Sequence, residues 1–274
     1  MPPPPRREVR KLVRKLGVAA RPTEQKNAVA ALAFLCCDPD NQAAIAAAGA
    51  IPDLVVLLGP VFQAGVQRDA ASALTSLAMD GDNETAIAAA GAIPPLMQLL
   101  GPGSAAEVQQ MAAGALQNLS MNADNVVTIT AAGAIPRLVQ LLGPGSSAEV
   151  QQAAAGALRN LAVNADNKVT IAAAGAILRL VQLLGPGSAA LAQRNVSGAL
   201  GNLAKTAENA ATLTAAGAIP ALKQLQRSTS DVHTRWFTTR ALWSLVNRDA
   251  GSVAAIGTAE ANAEVQEAMR ALRI

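Results

Sequence analysis

Three asparagines, Asn118, Asn160 and Asn202, recur 42 residues apart. Asparagine is a poor helix former, so its return at one position in alanine-rich sequence asks for a reason. A carboxamide carries both donor and acceptor, and can pair with the N–H and C=O of an extended peptide without reading its side chains. Each such bond contributes about 0.5–1.5 kcal/mol net, so three of them need help from side-chain pockets. The same stripe projects Arg68, Arg159, Arg194, Lys205 and Arg240, with no acidic residue among the equivalent positions. Trp236, Arg240, Trp243 and Asn247 fall at i, i+4, i+7 and i+11, one face of a single helix. Exposed tryptophan and arginine are the usual anchors of interfaces. The competing readings are a solvated helix face for the asparagines and arginines, and a C-terminal segment, Ala261–Arg273, folded over the tryptophans.

Catalytic chemistry finds no comparable set. His233 is the only histidine, so a histidine-based triad or metal cluster has no basis, and a solvated helix start is expected for it. Cys36 and Cys37 are neighbours, which rarely satisfy disulfide geometry. Their register matches Ser120 and Met121, so at least one is expected to be buried filler. The Gly-Pro-Gly-Ser segments starting at Gly101, Gly143 and Gly185 lack the Lys-Ser/Thr of a phosphate-binding loop and read as turns. No catalytic residue, metal, cofactor or small-molecule substrate is expected. A net charge of +3 is too weak to argue for nucleic acid.

The elements that must carry these residues follow from a repeat. Ala-Gly-Ala-Ile returns at Gly49, Gly91, Gly133, Gly175 and Gly217, always 42 residues on. Such a period marks helical solenoids of two or three helices per unit. In the copy from Asn122 to Val163, a short helix is expected at about Val126 to Ala132, closed by Gly133. A second starts at Ile135-Pro136, with Ile135, Leu138, Val139 and Leu142 on one face. A third, about Ser147 to Val163, is expected to open on a capping box of Ser146 and Glu149, as Ser104 and Glu107 would one period earlier. Ala157, Leu158 and Leu161 should be core. Apolar residues make up 51% and aromatics 2% of the chain, and an Ala/Leu/Val/Ile core suits closely packed helices.

The pattern Asn-x-x-x-Ile-x-x-x-Gly-Ala-Ile-Pro-x-Leu-Val-x-Leu-Leu at 125–142, followed by Ala-Leu-x-Asn-Leu at 157–161, resembles the armadillo repeat. The likeness covers nearly the whole chain and is closest in flavour to plant, algal and vacuolar armadillo proteins and to β-catenin. It implies an all-α, right-handed solenoid with three helices per 42-residue repeat. It also implies a concave groove lined by the third helices, in which the asparagines form a peptide-binding ladder. The ladder is partial, since Phe34, Ser76 and Ser244 hold its other positions. Four residues before each asparagine, nuclear-import readers of basic peptides carry tryptophan; here Gly114, Gly156 and Gly198 stand there, which argues against that role.

The expected organisation is a disordered proline-rich start (1–5), an incomplete N-terminal repeat (6–37), five repeats (38–247) and a degenerate C-terminal capping repeat (248–274). The expected function is a non-catalytic scaffold that binds an extended or helical, acidic or amphipathic segment of another protein. The alternative is a substrate-recruiting or structural subunit of a larger assembly, such as a ubiquitin ligase or kinase complex. The near-identity of 101–142 and 143–184 also suits a consensus-like engineered array, against which the irregular ends speak. Membrane contact is expected only through a partner, or weakly through the basic stretch Arg6 to Lys15. With no disulfide framework, a reducing compartment, cytoplasmic or nuclear, is the default.

Overall fold

A computed structural model describes residues 6–17 and 19–246. They form seventeen helices and, among the described residues, no strand. The first two are α1 (Arg6–Arg14) and α2 (Pro22–Leu35). Five triplets follow: α3 (Pro39–Ala47), α4 (Ala50–Val56) and α5 (Ala64–Leu77); α6 (Gly81–Ala89), α7 (Ile93–Leu99) and α8 (Ala106–Leu119); α9 (Ala123–Ala131), α10 (Ala134–Leu141) and α11 (Ala148–Leu161). The last two are α12 (Ala165–Ala173), α13 (Ala176–Gln182) and α14 (Ala190–Leu203), then α15 (Ala207–Ala215), α16 (Ala218–Ser228) and α17 (Val232–Val246). The fold class, all-α with three helices per repeat, is as the period requires. The expectations for 1–5, Asn247 and 248–274 lie outside the described residues.

The chain divides into two compact units, one ending at Arg137 and the other beginning at Leu138. In the first, α2, α5 and α8 pack side by side; in the second, α11, α14 and α17 do. Small residues allow this. Ala112, Ala113 and Ala115 of α8, and Ala154, Ala155 and Ala157 of α11, are all buried, as are Leu158 and Leu161. A Cβ on Gly201 would stand 3.4 Å from the Cα of Ala241, so α14 and α17 touch nearly backbone to backbone. Val9 and Val13 of α1, and Leu16 just after it, are buried in the first unit, which commits the helix's apolar face to the fold. No helix among the described residues is long and apolar enough to cross a membrane.

The helix starts differ from the expected ones. The first helix of the repeat begins at Ala123, three residues early, because Asn122 is its N-cap and accepts from the amides of Asp124 and Asn125. Asp38, Asp80 and Asn164 cap α3, α6 and α12 alike. The capping boxes are not formed. Ser147, not Ser146, caps α11, accepting from the Val150 amide at 3.3 Å. Ala105, not Ser104, holds the same place before α8 and offers no side-chain acceptor. Gly133 adopts φ 78°, a left-handed conformation that ends one helix and lets the next begin at Ala134.

One device went unseen in the sequence. Gln25, Gln67, Gln109, Gln151 and Gln193, each 42 apart, donate from Nε2 to carbonyls that end the preceding helix or turn. Gln151 reaches Gly143 O at 2.8 Å and Gln193 reaches Gly185 O at 3.1 Å. The carbonyls of Gly59, Gly101, Gly143 and Gly185 lie in the turn after the second helix and already accept one backbone amide, so the glutamine adds a second bond that ties the third helix to that turn. Gln151→Met keeps the bulk and removes the donor. Chemical denaturation should show a loss of about 1 kcal/mol, and an unchanged midpoint would assign those carbonyls to water instead.

Candidate functional site

In the second unit, three neighbouring helices bring their arginines together. Arg159 comes from α11, Arg194 from α14 and Arg240 from α17. Their orientation is set by two asparagines of α14. Asn202, 5% exposed, donates from Nδ2 to the Arg159 carbonyl at 2.9 Å and accepts at Oδ1 from Arg240 Nη2 at 3.1 Å. Asn195, 2% exposed, donates to the Gln152 carbonyl at 3.1 Å and accepts from Arg159 Nη1 at 3.1 Å. Each carboxamide therefore ties α14 to the backbone of α11 with one end and aims a guanidinium with the other.

Phe237 supplies the floor. The guanidinium carbons of Arg159 and Arg240 lie 5.5 and 5.4 Å from its ring centre, and that of Arg240 lies 5.0 Å from the Trp236 ring. Trp236 meets Phe237 edge to face, with centroids 4.7 Å apart. Gly198 opens the path: a Cβ there would stand 2.5 Å from Arg159 Cδ and 3.3 Å from Phe237 Cδ1. Only a residue without a side chain lets Arg159 cross α14 by this route.

The electrostatics are one-sided. Burial, then the guanidinia of Arg194 and Arg240, push Arg159 below the usual arginine value. Burial does the same to Arg240. Lys205 is lowered by burial, then by Arg240 and Lys168. The arginines stay charged even so. The Nε atoms of Arg194 and Arg240 are buried and have no hydrogen-bond partner. Asp231, the acid that feels Arg194, is turned to Thr234, whose hydroxyl and amide both donate to Oδ2 at 2.6 Å. Those bonds hold its carboxyl below the usual range and cap α17.

The expected site residues divide accordingly. Asn202, Arg159, Arg194, Lys205, Trp236 and Arg240 share the second unit's third-helix region, with Trp243 exposed further along α17. Asn160 lies beside Arg159, whose Nε is 3.4 Å from its Oδ1. In the first unit, Asn118 donates to the Thr75 carbonyl at 2.8 Å, the same brace that Asn202 makes. Asn118 and Asn202 thus each commit one N–H to the neighbouring third helix. Arg68 departs from expectation: Asp69 pairs with it at 2.6 Å, so its charge is neutralised on the spot. The projection missed Asp69 because it counted only positions equivalent to the arginines. The first unit exposes Phe34, Met79 and Met121, each by at least 70%. As expected of the cysteines, Cys36 is buried and Cys37 exposed; burial first, then Cys37, pushes the Cys36 thiol up to about 12.

Asn195, Gly198 and Phe237 are the members that sequence reasoning missed. Asn195 stands where the two preceding copies have Met111 and Ala153, so no recurrence announced it. A signal did exist: Phe237 falls 42 residues after Asn195 and beside Trp236.

Comparison with known proteins adds to this geometry. Residues 82–121, 122–163 and 164–205 match the armadillo/β-catenin-like repeat. No curated protein matches significantly. Among solved structures, an engineered protein is 32% identical with a TM-score of 0.78, covering 88% of this chain and 98% of its own. A designed armadillo repeat protein, YIII(Dq)4CqI, is 29% identical with a TM-score of 0.77, covering 86% and 99%. Another, YIII(Dq.V1)4CPAF in complex with peptide (KR)4, is 28% identical with a TM-score of 0.74, covering 87% and 99%. With its 42-residue triplets of helices, its carboxamide braces and these matches, the chain belongs to the armadillo repeat family.

Proposed function

We propose that this protein is a non-catalytic interaction scaffold that holds an extended, acidic segment of a partner protein across α11, α14 and α17. One observation carries the reading. Arg159 and Arg240 are oriented by neutral carboxamides rather than by carboxylates, so their charge is fixed in place and left unspent. A fold that needed only to tolerate these arginines would gain more by pairing them with acids. A designed armadillo neighbour was solved with peptide (KR)4, which supports peptide binding by this scaffold. A lysine–arginine peptide would meet like charge here, so an acidic ligand fits better. The exposed Phe34, Met79 and Met121 favour a second reading, a subunit docked in a larger assembly through the first unit. Unpaired Cys36 and Cys37 suit a reducing compartment, cytoplasmic or nuclear.

The asparagines can add main-chain recognition. Having given one N–H to the neighbouring helix, Asn118 and Asn202 each retain a second N–H. The test is a titration with a fluorescent Glu-Asp dodecapeptide, with (Lys-Arg)4 as the opposite charge. The acidic peptide should bind and the basic one should not. Asn160→Ala with Asn202→Ala should weaken binding about tenfold, and Asn118→Ala is measured separately. Equal affinity of folded variant and parent would remove the asparagines from recognition; preference for the basic peptide would sink the whole reading.

A further inference from the structure

The arginine cluster is more selective than an acidic groove requires. The guanidinia of Arg159 and Arg240, from α11 and α17, lie within 5.5 Å of one Phe237 ring centre, and Arg194 of the intervening α14 is near enough to Arg159 to push it below the usual arginine value. Arg194 and Arg240 each present a buried Nε–H with no partner. Lys205 and the buried Lys168 add charge on the same side of the unit. Among the described residues no carboxylate is hydrogen-bonded to Arg159, Arg194 or Arg240, and the neighbouring acid, Asp231, is occupied by Thr234. A single carboxylate engages one guanidinium fork and leaves the remaining charge unmatched. A phosphomonoester brings nearly two charges and three acceptor oxygens at neutral pH.

We propose that Arg159, Arg194 and Arg240, set over Phe237 and aimed by Asn195 and Asn202, form a pocket for the phosphomonoester of a phosphorylated serine or threonine in the bound segment. This rests on the acidic-segment reading and makes it conditional: modification of the partner switches binding on. Gly198 belongs to the pocket because it lets Arg159 lie across α14. Nucleic acid is the less suited source of phosphate. Its diesters carry one charge each and need a track of cations, whereas the described cluster is local and the chain's net charge is only +3.

The experiment uses the full chain and the fluorescence of its tryptophans, both of which lie in α17. The probes are the capped tripeptides Glu-phosphoSer-Glu, Glu-Ser-Glu and Glu-Glu-Glu, with inorganic phosphate and a short oligouridylate as controls. The phosphopeptide should bind about thirtyfold tighter than the serine peptide, with the glutamate peptide much nearer to serine. The preference should fade as pH drops below about 6, where the phosphate loses its second charge. Arg194→Gln should cut the preference to about threefold, within the range of one lost charge-assisted bond. Gly198→Ala should also lower it, with the fold retained, because alanine favours helix while its methyl displaces Arg159.

Equal binding of the phosphorylated and serine peptides overturns the pocket, and the acidic-segment reading survives if the dodecapeptide still binds. Silence from every peptide, the dodecapeptide included, overturns both. Inorganic phosphate binding as tightly as the phosphopeptide would make this a free-ion site, and tighter oligouridylate would make it a nucleic-acid site; either overturns the assignment.

Discussion

Changing Arg159 and Arg240 together to glutamine is expected to weaken binding of the Glu-Asp dodecapeptide by about 100-fold or more. Hydrogen bonds to charged groups contribute roughly 1.5–3 kcal/mol each, and two of them multiply to that range. The effect is asymmetric by construction. Glutamine can still fill the space over Phe237 and reach Asn195 or Asn202, so packing is largely kept while two charges go. Folding should change little, because removing Arg240 relieves the like charge felt by Arg159 as well as costing a contact with Trp236 and Phe237. Salt separates the causes. Added salt should lower the parent's affinity more steeply than the variant's, since two of the screened charges are absent from the variant while Arg194 and Lys205 remain. A double variant that binds as tightly as the parent, with the same salt response, would place the acidic ligand elsewhere.

Leu200→Ala should destabilise the second unit by about 2–5 kcal/mol. Leu200 is 1% exposed and sits in α14, between α11 and α17. Its removal leaves a cavity that this packing is poorly placed to close. Neighbouring glycines already bring backbones together, as at Gly201 against Ala241, so no side chain stands by to move in. The same helix carries Asn195, Gly198 and Asn202, so loosening it also releases the arginines. Urea denaturation followed by tryptophan fluorescence reads this directly, because both tryptophans lie in α17 and report on the second unit. A midpoint within experimental error of the parent would mean that α14 is not central to that core.

Alanine, leucine and glycine at a 42-residue beat determined the triplets of helices, their buried faces and the family before any coordinates. These are local properties: an apolar stripe is fixed by spacing within one helix, and a left-handed turn by one glycine. The core residues Ala157, Leu158 and Leu161 are buried as the periodicity required. Even the helix starts were nearly legible, missed by one residue at Ser147 and by three at Ala123, because several polar residues compete for each cap. Only the tertiary structure decided the chemistry. The partner of Asn202 lies 43 residues away along the chain and that of Arg159 lies 36 away. No periodicity foretells whether a guanidinium will meet a carboxamide, an aromatic ring or an acid. Arg68 and Arg194 hold equivalent positions, yet one is neutralised by Asp69 and the other keeps a buried Nε–H unpaired. A long polar side chain goes where its neighbours leave room, and here the room was made by Gly198 and the floor by Phe237, both set by packing between helices.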